Sequence, residues 1–223
     1  MTAGSVAQGS VGVSLVVTDL DGTLWHTDDH VPEATLDALG ALEAAGIPVL
    51  VATGRRLAST RAPLERIGVT PPAVVLNGAL GVDLATGARF HRSPYPSDMA
   101  VAVLARFASV GLTPVVYVDH PDVDVFVALH PSTHPGHLRQ LGSTARTDDL
   151  ARVVAEETVL GFSMIGVPHR DGVAAQEAVG DLAATHLDRS LDFPGATSFT
   201  VAPLGQSKWD GVLAFCAARG LDP

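Results

Sequence analysis

The segment Asp19-Leu20-Asp21-Gly22-Thr23 sets two carboxylates two residues apart, directly after the apolar run Leu15-Val16-Val17-Thr18. If that run is a strand, both acids emerge where the strand gives way to a loop. Gly22 lets the backbone turn sharply there and present its amides to an anion. Hard carboxylate oxygens at such a turn suit Mg2+ in company with a phosphate. An isolated Asp-x-Asp reads only as a solvated turn. The pair Asp122/Asp124, which lacks the Gly-Thr and the preceding strand, is therefore given no role. Thr53-Gly54-Arg55 follows a second apolar run, residues 47–52, and its hydroxyl and glycine amide suit a phosphoryl oxygen. Lys208 is the sole lysine among 14 Lys+Arg. An ammonium is a compact point charge and a guanidinium a planar fork. A lysine kept once in an arginine-rich chain reads as a charge meant to neutralise a phosphate and a neighbouring aspartate.

These groups act together only if a scaffold brings them to one edge. Residues 15–18 read as a strand buried on both faces. Residues 32–45 read as a helix with Pro32 in its first turn, Leu36, Leu39 and Leu42 on one face, and Gly46 as its stop. A strand over 47–52, a helix over 57–67 kinked or delayed by Pro63, and a strand over 73–76 ending at Asn77-Gly78 complete the first third. This alternation predicts an α/β fold around a right-handed parallel sheet, whose ligands bind at the carboxyl ends of the strands. The middle reads differently. A hairpin joins 81–84 to 89–92, a helix covers 98–110, and two strands, 113–118 and 123–129, pair across a turn at 119–122. A strand over 158–167, a helix over 172–184 and strands over 186–193 and 198–202 follow. Hairpins in place of crossovers make this an α+β insertion. The last helix is residues 208–219.

The motifs V-V-T-D-L-D-G-T-L at 16–24, V-L-V-A-T-G-R at 49–55, V-V-L-N-G-A at 74–79 and A-P-L-G-Q-S-K at 202–208 together resemble the haloacid dehalogenase-like (HAD) superfamily, in particular its Cof-type phosphatases. The resemblance implies a HAD-like Rossmannoid parallel-sheet core with an inserted α+β cap. The core would comprise 13–82 and 198–223 and the cap 83–197; residues 1–12, from their small, polar, Gly/Ser-rich composition, read as a flexible leader. The resemblance also implies a Mg2+-dependent phosphatase of small phosphorylated metabolites, such as sugar phosphates, working through an aspartyl-phosphate. Asp19 would be the nucleophile and Asp21 the general acid/base. Leu20, Thr53, Gly54 and Lys208 would bind phosphate, and Asp19 with the Asp21 carbonyl would hold the metal. The family's fourth motif, Gly-Asp-x-x-Asn-Asp, lies after the lysine helix, and this chain ends before it. Gly180-Asp181 lacks the Asn-Asp and precedes Lys208. The expectation is thus a core truncated at its C-terminus, with its first strand unpaired on one edge and open to self-association. Two alternatives stand: a phosphotransferase or phosphomutase of the same superfamily, and a non-catalytic phosphate-ligand-binding pseudoenzyme.

Composition narrows the partners. With 223 residues, 47% hydrophobic and 17% charged, the chain can bury a core. A formal net charge of −10 argues against nucleic acid and anionic membrane surfaces. No apolar run is long enough to span a bilayer. One cysteine, Cys216, and no charged leader fit a cytoplasmic location. His130, His134 and His137, with His120 upstream, read as a Pro/Gly-rich surface loop in preference to a metal site. Trp25 is placed either at the entrance to the site or packed under the cap.

Overall fold

The structure is a computed structural model and describes residues 12–25 and 30–223. The expected leader, 1–12, lies outside the described residues but for Gly12. The first sheet begins β1 (Val16–Thr18), α1 (Glu33–Ala44), β2 (Val49–Ala52), α2 (Leu57–Arg66), β3 (Pro72–Val75). β1 pairs in parallel with β2, and β2 with β3. The hairpin β4 (Leu80–Asp83) and β5 (Arg89–Arg92) then continues the same sheet antiparallel, in the order β1-β2-β3-β4-β5. The sheet is therefore mixed, and the expected division at residue 83 falls inside it.

The second sheet is built from α3 (Ser97–Ser109), β6 (Val115–Val118), β7 (Val125–Val127), α4 (Pro135–Leu141), β8 (Ala145–Thr147), α5 (Leu150–Glu156), β9 (Val159–Val167), α6 (His169–Val179), β10 (Ala184–Arg189) and β11 (Thr197–Ala202). Its order is β10-β11-β9-β6-β7-β8. β11, expected to rejoin the first sheet from residue 198, instead pairs antiparallel with both β9 and β10. Only α7 (Lys208–Arg219) returns to the first sheet.

Alternation along the strands explains the layering. Leu50, Ala52 and Val74 face α7 and pack with Val212, Phe215 and Cys216. Val51, Ala73 and Val75 face the opposite way, toward Leu64 of α2 and toward Val115, Tyr117 and Val125 of the second sheet. The other face of that sheet, including Val116, Phe126 and Phe162, buries Phe107 of α3, Val153 of α5 and Val179 of α6. One apolar cluster thus belongs to both sheets.

Four local expectations need correction. β1 is an edge strand, not a strand buried on both faces: Val17 is 43% exposed. α1 forms where expected, but Leu36 is exposed and none of its residues is buried. α2 runs through Pro63, which is itself buried. The histidine-rich stretch is not all loop either. Pro135 occupies the first turn of α4, where its missing N–H costs nothing, and the His134 ring accepts from the Gly136 amide as the cap.

Candidate active site

Asp19 follows β1 directly and Thr53 follows β2. The two parallel strands align Thr18 with Val51, so both residues leave the same edge of the sheet. Asn77 follows β3 on that edge. The Asp19 carboxylate accepts from its neighbour's backbone, Leu20 N–H, at 2.7 Å, and from Lys208 Nζ at 2.6 Å. These are the expected nucleophile and phosphate lysine, brought together across almost the whole chain.

The lysine is placed by a close approach of two backbones. Gly78 has φ +109, and a Cβ there would lie 2.1 Å from the Ser207 carbonyl oxygen. Only glycine lets the Asn77-Gly78 turn take this conformation while Ser207 presses against it. The Gln206 side chain donates to the Leu76 carbonyl at 3.0 Å, tying the same two segments. Ser207 and Asp210 then form a capping box that starts α7 at Lys208. Those hydrogen bonds from Ser207 hold the Asp210 carboxyl below its usual range.

Thr53 is 1% exposed, and its hydroxyl accepts from the Arg55 amide at 3.2 Å. Its neighbour Gly54 abuts the Asn77 side chain: an added Cβ would meet Asn77 Oδ1 at 3.0 Å. Thus Thr53, Gly54 and Asn77 form one packed corner beside Asp19.

Asp21 is held differently. Arg55 donates Nε to Oδ2 at 2.8 Å and a terminal nitrogen to Oδ1 at 2.6 Å, and the Trp25 indole N–H donates to Oδ1 at 3.2 Å. Burial pushes the Asp21 carboxyl up, but the Arg55 and Trp25 hydrogen bonds and the charges of Arg55 and Lys208 outweigh it and leave it below its ordinary value. Arg55 also lies 4.9 Å over the Trp25 ring and donates to the Ser59 carbonyl at 3.3 Å. That carbonyl would ordinarily accept from residue 63 in the helix. Pro63 has no N–H to give, so the proline leaves an acceptor for Arg55. Trp25 is 1% exposed and belongs to the cluster shared by both sheets, which places it under the cap and not at an entrance.

Sequence spacing gave Arg55, Arg56, Asn77 and Asp124 no role. Arg56 and Asp124 form a buried ion pair between the two sheets, at 2.7 Å. No spacing rule signals such pairs, whose members are 34 and 68 residues apart. Asp19 and Asp21 offer the hard oxygens Mg2+ prefers. Among the described residues no cluster of three His, Cys, Asp or Glu side chains forms, the histidine segment included. No helix among them is long and apolar enough to cross a membrane.

Comparison with known proteins matches this geometry to a family. YkrA of Bacillus subtilis is 29% identical over 136 residues, 61% of this chain and 51% of YkrA. The HMP-PP phosphatase of Shigella flexneri is 34% identical over 90 residues, 40% of this chain and 33% of that protein. The matches to these curated relatives thus span about half of their length or less. The crystal structure of TM0651 from Thermotoga maritima superposes with a TM-score of 0.74 at 19% identity, covering 94% of this chain and 76% of that one. A family model for haloacid dehalogenase-like hydrolases matches residues 16–222. With the aspartate pair, the Thr-Gly corner and the lysine meeting at one sheet edge, the chain belongs to the haloacid dehalogenase-like hydrolases, and within them to the Cof-type group.

Proposed function

We propose that the protein is a phosphatase of small phosphorylated metabolites, with Asp19 as nucleophile. The observation that carries this reading is the Asp19–Lys208 contact of 2.6 Å beside the Thr53-Gly54 corner. A carboxylate poised to attack and an ammonium poised to neutralise a phosphoryl group share one spot. That suits phosphoryl transfer, which needs mainly positioning and charge neutralisation. The HMP-PP phosphatase among the relatives supports a small phosphorylated substrate. Sugar phosphates are the class proposed here.

An Asp19 oxygen forms a bond to phosphorus as the bond to the leaving oxygen breaks, and Asp21 gives that oxygen its proton. Water then attacks the aspartyl-phosphate, Asp21 takes the water's proton, and phosphate departs while Asp19 is regenerated. Lys208, the Thr53 hydroxyl and the Leu20 and Gly54 amides hold the phosphoryl oxygens. The Asp19 carboxylate and Asp21 carbonyl would hold Mg2+, which supplies further neutralisation of phosphate charge when bound. The Arg55 pairing keeps Asp21 ionised, the form needed in the second step. Donating a proton in the first step requires Arg55 to release it.

That pairing also favours a second reading, a phosphate-ligand binder that does not turn over. Hydrolysis of p-nitrophenyl phosphate with Mg2+ decides between them. Phosphate release abolished by Asp19→Asn supports the phosphatase. Phosphate or vanadate binding without release supports the binder.

A further inference from the structure

The cap meets the core through two acidic residues at the two ends of the β6–β7 turn. Asp119 pairs with Arg89 and Arg92 of β5. Asp124 pairs with Arg56, whose terminal nitrogen donates to both carboxylate oxygens at 2.7 and 2.9 Å. Arg56 is 7% exposed and the Asp124 side chain 14%. The same nitrogen lies 2.7 Å from Thr144 Oγ1, and the other terminal nitrogen donates to the Leu141 carbonyl at 2.9 Å, both partners on the cap. Asp124 Oδ2 also accepts from the Ala58 backbone N–H at 3.0 Å. Arg56 stands at the N-cap of α2 and supplies no side-chain cap. A cap-domain carboxylate therefore does the capping, at a helix end whose dipole favours negative charge.

α2 begins two residues after Arg55. The chain from Thr53 to Ala58 is thus held at one end by the phosphate corner and at the other by Asp124. Its two arginines point to different partners: Arg55 to Asp21, and Arg56 to the cap.

We propose that Asp124 is a positioning residue. By fixing Arg56 and the first turn of α2, it sets the Thr53–Arg55 loop, and so makes the phosphate corner depend on how the cap is seated. This rests on the phosphatase reading for its kinetic consequence but not for its structural one. Asp119 supplies the contrast. It joins cap to core equally directly, but through β5, away from the loop.

The test compares Asp124→Asn and Asp119→Asn in the full chain. Hydrolysis of p-nitrophenyl phosphate, orthovanadate affinity, thermal midpoint and amide exchange at residues 54–58 are measured for each. Asp124→Asn should lower kcat roughly tenfold to a hundredfold with KM little changed, since small misplacements of positioning groups cost that much. It should also weaken vanadate binding and speed exchange at 54–58. Asp119→Asn should lower the thermal midpoint with kcat and exchange at 54–58 unchanged. If both variants change kcat and exchange alike, the effect is general loosening and the proposal falls. If Asp124→Asn leaves both readouts unchanged, it falls as well. A wild-type chain without turnover would end the phosphatase reading, and faster exchange at 54–58 in Asp124→Asn alone would still uphold the positioning role. Should Asp124→Asn fail to fold, Arg56→Lys, which keeps the charge and loses the fork, takes its place with the same expected pattern.

Discussion

At the scale of single residues, the proposed chemistry rests on the Asp19–Lys208 pair. Asp19→Asn is nearly isosteric at a partly exposed strand tip, yet an amide cannot be the carboxylate nucleophile. Phosphomonoester hydrolysis should vanish while circular dichroism stays unchanged; persistent turnover, after excluding deamidation, would remove Asp19 from the mechanism. Lys208→Arg should be far from conservative. Lys208 Nζ sits 2.6 Å from Asp19, leaving a planar fork no room beside a phosphoryl group. Vanadate affinity measured by calorimetry should fall substantially, and equal affinity would make the lone lysine incidental. That these two side chains would meet was legible because motif and strand context travel together in the sequence. The partners of Asp21 were not. Arg55 was visible as part of Thr-Gly-Arg, but its reach to Asp21 depends on Pro63 freeing the Ser59 carbonyl and on Trp25 being buried beneath it. Neither follows from spacing.

At the scale of elements, the parallel strands and most helices follow the hydrophobic pattern, and α7 spans residues 208–219 as expected. The errors arise where partner choice matters. The 81–92 hairpin was legible as a hairpin, and β11 as a strand, but alternation says only that a strand has an apolar face. It does not say which sheet will cover it, and each joined the opposite sheet from the one expected. α4, β8 and α5 are short, and their seven, three and seven residues give too few repeats for a period to show. Two predictions belong here. Gly78→Ala would drive a methyl to 2.1 Å from the Ser207 carbonyl at a positive φ. Such overpacking should cost about 1–3 kcal/mol in denaturant unfolding. It should also push Lys208 away from Asp19, so vanadate affinity should drop with it. The free edge of β1, where Val17 is exposed and the described residues place no strand on the outer side, offers unpaired backbone groups to another chain. Self-association should rise with concentration in light scattering, and Val17→Lys should suppress it. Identical masses for both proteins across the concentration range would leave this edge without a role.

At the scale of the whole molecule, the question is whether core and cap are two stable units or one. Two sheets in a chain of 223 residues could each carry a separate core. The packing argues otherwise. Leu20, Trp25, Val51 and Val75 from the first sheet's side share a cluster with Val115, Tyr117, Val125 and Leu160 of the second. Unfolding the cap alone would expose that whole face to water, at about 25 cal/mol per Å² of apolar surface. It would also strip Asp119 and Asp124 from the arginines of the core. Both penalties fall on any half-unfolded state, so core and cap should unfold in one transition. In a Trp209→Phe background, which removes the exposed second tryptophan, Trp25, buried in the shared cluster, reports on the contact between the sheets by fluorescence, and far-UV circular dichroism reports on all strands and helices. The two probes should give coincident urea curves. Leu160→Ala, a deletion on the cap side of the cluster, should shift both curves together by the roughly 2–5 kcal/mol usual for a buried leucine. A biphasic dichroism curve, or a variant that shifts one probe and not the other, would show that the shared cluster does not bind the two sheets into one cooperative unit.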